Sequence, residues 1–163
     1  MKIEVRHSTE QDIKAIADIY AQPSCFAGTL QLPHPSLDKW QKFLGEPQDN
    51  FYSLIAEVDG ELCGQLGMEV FSNPRRKHVA NIGMAVSERW QGRGVGSQLL
   101  EHALNLAEKW LAVRRVELEV YTDNEAAITL YQKHGFIIEG TAKSYAYRDG
   151  QYVDVHLMAK VSA

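Results

Sequence analysis

No apolar run in this chain approaches the ~18 residues that a membrane-crossing helix needs, so no membrane partner is expected. The N-terminus, Met1-Lys2-Ile3-Glu4-Val5-Arg6, alternates polar and apolar residues and lacks the apolar centre of a signal peptide. Cysteine is scarce. Cys25 and Cys63 form no C-x-x-C pair and offer no disulfide framework, so two reduced thiols in a cytoplasmic protein are the expectation. The six histidines show neither H-x-x-x-H nor H-x-H spacing, which gives a metal site no support. Positive charge is thin as well. Lys and Arg number 17 against 21 Asp and Glu, the net charge is −4, and no basic block exceeds Arg75-Arg76-Lys77. A nucleic-acid-binding face needs more than that. No linker, repeat or low-complexity stretch interrupts the chain, so residues 1–163 are read as one domain.

What is present fits a globular fold. Apolar residues make up 45% and charged residues 23% of 163 residues, enough to bury a real core. Ile3 to His7 alternates as a strand. Thr9 is placed to cap a helix with Ile13, Ile16, Ala17 and Tyr20 on one face, and Pro23 is expected to end it. Residues 24–50, with Pro33, Pro35 and Pro47, read as mostly loop, with a short helix from Ser36 carrying Leu37, Trp40 and Leu44. A three-strand meander follows: 51–58, a turn at Asp59-Gly60, 62–71, a turn at Asn73-Pro74, then 78–86. A long helix begins after Gly96, with Val95, Leu99, Ala103, Leu106 and Trp110 on its apolar face. Val116 to Tyr121 is a strand, 124–134 a helix with Gly135 at its C-cap, and a hairpin around Asp149-Gly150 closes the chain. This order predicts a mixed sheet with helices on both faces.

The chemistry is concentrated in Met84-Ala85-Val86-Ser87-Glu88-Arg89-Trp90-Gln91-Gly92-Arg93-Gly94-Val95-Gly96-Ser97. A buried strand ends, three alternating glycines follow, and a helix begins. Glycine permits positive φ and close approach of a ligand to the backbone. A helix N-terminus has unpaired N–H groups and a dipole that favour an anion. A diphosphate suits that place, and Arg93 can add a charge. A Walker A loop fits worse because no Lys follows Gly96, and so does the dinucleotide fingerprint, whose G-x-G-x-x-G spacing is G-x-G-x-G here. A turn that merely joins strand to helix would waste entropy on three glycines in five residues.

Gln91-Gly92-Arg93-Gly94-Val95-Gly96 resembles the [Q/R]-x-x-G-x-[G/A] motif of the GNAT superfamily of N-acetyltransferases, and the resemblance extends over nearly the whole chain in element order. It implies the acyl-CoA N-acyltransferase fold: α/β, with a mixed, mostly antiparallel central sheet of about seven strands and helices on both faces. It implies acetyl-CoA as co-substrate and no metal. The strand before the loop would part from its neighbour at a bulge. Met84, Ala85 and Val86 would then pair with the pantetheine arm, and the amides of 92–97 would cradle the diphosphate, with Gln91, Arg93, Val95 and Ser97 in the same segment.

Asn124-Glu125-Ala126-Ala127-Ile128-Thr129-Leu130-Tyr131-Gln132-Lys133-His134-Gly135-Phe136 is similar to the family's N-x-x-A-x-x-x-Y-x-x-x-G-F signature. Asn124 and Tyr131 are seven residues apart, two helical turns, and so share a face, which Ala127 keeps narrow. The resemblance implies that Asn124 contacts the cofactor arm and that Tyr131 donates a proton to the departing thiolate. By spacing alone Tyr131 could equally be a core aromatic. The base is less legible. The strand at 78–86 has no acid, which leaves Glu69 on the preceding strand as the candidate, with Glu119 and Asp123 as further options.

Acceptor contacts are expected from Leu32 and His34 in the proline-stiffened loop and from Tyr145, Tyr147 and Arg148 in the closing hairpin, with Lys143 helping to hold a carboxylate. The pattern resembles the bacterial branch that acetylates free L-amino acids or aminoacyl compounds. A small-molecule amine is therefore the expected partner, and exposed sheet edges leave room for a homodimer. A polyamine or protein N-terminal acetyltransferase, a non-catalytic acyl-CoA-binding module and a nucleotide-binding module are the alternatives.

Overall fold

A computed structural model describes residues 1–46 and 48–163; Pro47, one of the prolines read into the 24–50 loop, lies outside them. Seven strands form one sheet: β1 Glu4–His7, β2 Phe51–Val58, β3 Glu61–Val70, β4 Val79–Val86, β5 Arg115–Tyr121, β6 Ile137–Arg148 and β7 Gln151–Val161. Their order is β1-β2-β3-β4-β5-β7-β6, and among the described residues only the β4–β5 pair is parallel. The two tight hairpins form where Asp-Gly is written. Asp59 and Gly60 (φ 49° and 80°), like Asp149 and Gly150 (φ 48° and 81°), take the paired positive φ values that match strand twist.

The helices are α1 Ile13–Tyr20, α2 Pro23–Ala27, α3 Leu37–Gly45, α4 Val95–Asn105 and α5 Glu125–Lys133. One core lies between the sheet and α4 and α5, built on Leu66, Met68, Leu99, Leu100, Val116, Tyr131 and Phe136. The other lies on the opposite face beneath α1, α2 and α3, around Ile16, Ile19, Tyr20, Trp40 and Ile55. Side chains alternate across a strand. β4 therefore sends Ile82 to the first core and Ala85 to the second.

Three local expectations need correction. Thr9 caps a short 3₁₀ turn, Glu10–Asp12, whose Asp12 accepts from the Thr9 N–H at 2.7 Å, and α1 continues from it. Pro23 starts a helix as well as stopping one. It occupies the first turn of α2, where a missing N–H costs nothing. Trp110 is 77% exposed because the chain widens into a π-turn at Leu106–Trp110, which slips the helical phase and puts Ala107 in the core instead.

Candidate active site

The parting of β4 from β5 makes the site. Their ladder holds for three pairs only, Val79↔Arg115 to Asn81↔Glu117. Beyond it the two strands diverge around a cavity of about 580 Å³. The expected bulge is not what separates them. β4 keeps unbroken register with β3 from Val70↔Ala80 to Gly64↔Val86. The phase of that ladder is fixed at both ends, by Phe71 N–H to Val79 C=O at 3.0 Å and Ser87 N–H to Cys63 C=O at 2.8 Å. Odd-numbered residues of β4 thus spend their main-chain groups on β3, and Ile82, Met84 and Val86 turn theirs into the gap. An extended, amide-bearing ligand can add there as a strand.

At the end of β4 the three glycines have different reasons. Gly92 and Gly94 hold φ of 74° and 88°, and a side chain at Gly92 would meet nothing within 4 Å. Gly94 is the N-cap of α4 in a left-handed conformation that only glycine takes without strain. Gly96 is a matter of space: a Cβ there would lie 3.0 Å from Leu130 Cδ2 and 3.2 Å from Met84 Cε. It lets α4, α5 and β4 converge on the cavity. The loop offers free α4 amides and no acidic lining residue of its own, so the donor set fits a diphosphate.

Of the residues expected to hold the cofactor, all but Arg93 line this one cavity. The Arg93 guanidinium instead lies over the Trp90 ring, 5.3 Å from its centroid. Asn124 lines the cavity as the N-cap of α5, with its Oδ1 accepting from the Ala127 N–H at 3.2 Å. Tyr131 is 8% exposed and packs edge-on against Phe136 at 5.7 Å. Burial pushes its phenol up to about 12. Among the described residues no buried side-chain N or O atom lacks a partner, and the Tyr131 hydroxyl makes no hydrogen bond within the chain. The hydroxyl must therefore reach the cavity that the ring lines.

The opposite wall belongs to the α1–α3 face. Glu119 projects there from β5 and is the only charged side chain among the described residues lining the cavity. Asn81 Nδ2 donates to both its oxygens, at 3.3 and 3.4 Å. Tyr145 lines the cavity beside it, and its phenol is pushed up by burial first and by the Glu119 charge second. Tyr121, also in the lining, donates its hydroxyl to the Thr29 carbonyl at 2.8 Å.

Several expected residues are elsewhere. Glu69 stands opposite Asn81 on β3, exposed and outside the lining, because β3 lies on the far side of β4 from the gap. Leu32 is 76% exposed and His34 is exposed at φ 58°, both beyond the wall. Tyr147 packs on Tyr152 at 4.9 Å. Arg148 lies over the Tyr121 ring at 4.9 Å and pairs with Asp123, while Lys143 pairs with Asp154 at 3.3 Å. What the sequence reading missed is α2. Ser24, Cys25, Gly28, Thr29 and Leu30 all line the cavity, and a proline at a helix's first turn was the available signal.

A strand edge free to pair, leading to a glycine-cradled helix end, suits a thioester carried on an extended arm with a diphosphate. That geometry defines the class of acyl-CoA-dependent N-acyltransferases. The chain belongs to the acetyltransferase (GNAT) family, whose model matches residues 13–136. It is 45% identical over 160 residues, covering 98% of each chain, to the L-amino acid N-acetyltransferase AaaT of Escherichia coli (strain K12). It is 26% identical over 161 residues to the putative phosphinothricin acetyltransferase YwnH of Bacillus subtilis, covering 96% of this chain and 97% of that protein. A solved acetyltransferase of the GNAT family from Streptococcus pneumoniae superposes with a TM-score of 0.85 at 29% identity, covering 99% of this chain and 100% of that one. The chain is an N-acetyltransferase, and its family uses acetyl-CoA.

Proposed function

We propose that the acceptor is the α-amine of a free L-amino acid or a small aminoacyl compound, acetylated by direct attack while both substrates are bound, and that the enzyme works in the cytoplasm. The likeness to an L-amino acid N-acetyltransferase supports the acceptor class. Two buried free thiols suit a reducing compartment. The observation that carries the mechanism is that Glu119, the sole charged group in the lining among the described residues, and Tyr131 line the same gap from opposite faces of the sheet.

Bound acetyl-CoA would supply an activated thioester. Ile82, Met84 and Val86 would hold its arm through their main-chain groups, and the amides of 92–97 its diphosphate. Glu119 takes the base role expected of Glu69: it attracts the acceptor's ammonium and accepts its proton. The Val86 N–H, turned into the gap, polarises the acyl carbonyl. Tyr131 donates a hydrogen bond to the departing sulfur. Burial raises the Tyr131 phenol to about 12, so at neutral pH the hydroxyl carries the proton that this hydrogen bond needs. Arg148, paired with Asp123 and lying over the Tyr121 ring, would have to leave Asp123 to meet the acceptor's carboxylate.

One observation favours a second reading. Lys143 and Arg148 already have acidic partners, and the lining carries no positive charge among the described residues. A polyamine would suit that wall. Thiol release from acetyl-CoA, followed with a panel of amines, decides between them. Turnover with methionine or phenylalanine supports the amino-acid reading; turnover with spermidine alone replaces it.

A further inference from the structure

A chain of side-chain contacts joins the diphosphate loop to the acceptor wall through α2. Glu88 lies in the short turn Glu88–Trp90 that leads from β4 into the glycines. Its Oε1 accepts from both the N–H and the hydroxyl of Ser24, each at 3.1 Å. Its own N–H donates to Gln22 Oε1 at 2.7 Å, and Gln22 Nε2 donates to Ser87 Oγ at 3.2 Å. Gln91, the first residue of the glycine motif, donates its amide to Ser24 Oγ at 3.3 Å and to the Val86 carbonyl at 3.0 Å. The Cys25 thiol donates to the same carbonyl at 3.3 Å. At its other end α2 runs into Gly28 and Thr29, and the Thr29 carbonyl is held by Tyr121.

Five residues cannot sustain a helix alone, because nucleation outweighs the few bonds gained. Outside contacts must keep α2 helical. At its start, two of them go to one carboxylate, and that carboxylate stands in the turn that leads into the loop expected to hold the cofactor.

We infer that Glu88 is a positioning residue that couples cofactor binding to the acceptor wall: when the loop 91–97 is filled, Glu88 fixes the N-terminus of α2, and α2 fixes Gly28, Thr29 and Leu30 against Tyr121. The inference rests on the cofactor assignment above and adds a consequence for it. Coupling between two sites is reciprocal, so a bound acceptor tightens cofactor binding through the same strut.

Amide hydrogen exchange on the full chain, with and without coenzyme A, tests it independently of which amine is the substrate. In the wild type, saturating coenzyme A is expected to slow exchange at residues 28–30 by about 10-fold or more. In Glu88→Ala, calorimetry should show coenzyme A still binding within about 5-fold of the wild-type Kd, while the slowing at 28–30 falls below about 3-fold. Glu88→Gln keeps an acceptor oxygen and should retain the slowing, which separates the contact from a general loosening of the fold. A wild type that binds coenzyme A with no slowing at 28–30 overturns the inference, as does a Glu88→Ala variant that keeps the slowing. A wild type that does not bind coenzyme A at all overturns the cofactor assignment, and this inference with it.

Discussion

Asn81 on β4 donates its side-chain amide to both carboxylate oxygens of Glu119 on β5, bridging the two strands just past the last rung of their ladder. The contact sets where a carboxylate stands at the mouth of the gap. It also orients Glu119 along a strand whose next inward residue, Val120, is fixed in the core.

If Glu119 is the base, Glu119→Gln keeps its shape and one of the two acceptor oxygens that Asn81 meets but cannot take a proton. We expect kcat/KM to fall by about 10²–10⁴-fold with an unchanged melting curve. Asn81→Ala leaves the carboxylate in place but unguided, and should cost about 10-fold. Steady-state kinetics with acetyl-CoA and methionine measures both. A Glu119→Gln enzyme within twofold of wild type removes Glu119 from the mechanism.

Tyr131→Phe removes only an oxygen. The ring still packs on Phe136, so the fold should hold. The loss of one donor to a developing charge is worth about 10²-fold in kcat, and KM for acetyl-CoA should move by less than about 3-fold because the donor acts late. A rise in KM at constant kcat would instead mark Tyr131 as a packing residue. The same burial predicts that the phenol stays protonated through pH 10. Its folded value is about 12 against ~10 when unfolded. The stability it contributes is therefore present below pH ~10 and lost as pH rises toward 12. An ultraviolet titration that compares wild type with Tyr131→Phe reads this directly.

The elements that were legible in the sequence were those whose local signals agree with the tertiary outcome. Asp59-Gly60 and Asp149-Gly150 encode their own turns, and Gly92-Arg93-Gly94 encodes a backbone that other residues resist. The signature from Asn124 to Phe136 placed Tyr131 on the cavity because helical spacing determines a face. What failed depends on neighbours far along the chain. Glu69 and Glu119 both look like strand acids with one exposed side. Only the strand order, with β3 outside β4 and β5 across the gap, tells them apart. Arg148 and Lys143 read as free cations until Asp123 and Asp154 fold against them. Trp110 fits the helical period and is exposed because the period changes at Leu106.

The convergence at Gly96 should be intolerant of a single methyl. Leu130 and Met84 would have to yield to a Cβ at 3.0 and 3.2 Å, in a core already filled around Leu99. Overpacking of this kind costs about 1–3 kcal/mol. Gly96→Ala is therefore expected to lower the urea midpoint and, because the side chains that move line the cavity, to weaken coenzyme A binding. Gly94→Ala meets only Ile3 Cδ1 at 4.0 Å and is limited by its φ of 88° instead. It should cost about 1–2 kcal/mol through backbone strain alone. Equal loss of coenzyme A affinity in the two variants would show that the loop's conformation, not the space at Gly96, governs binding.

At the fold's N-terminal edge, Arg6 on β1 pairs with Asp12 and, at 3.1 Å, with Glu57 on β2. The Asp12 carboxylate accepts from Arg6 Nη1 and Nη2 at 2.8 and 3.0 Å and from the Thr9 N–H at 2.7 Å, which ties β1 to the start of α1. The Arg6 guanidinium, opposed in part by burial and helped by the Thr9 amide, holds the Asp12 carboxyl below the usual carboxylate range. The sign follows from that direction. The unfolded chain takes up the proton first, near pH ~3.9, so the stability from this group is present above that pH and is lost as pH falls through the folded value. Arg6 has a side chain 40% exposed, and solvent screens the pair. We therefore expect Asp12→Asn to cost only about 1–2 kcal/mol at pH 7. Urea unfolding at pH 7 and again near pH 3 checks it. The gap between wild type and variant should narrow in acid, and a gap of equal size at both pH values would mean that the charge on Asp12 contributes nothing to holding β1 against the helix.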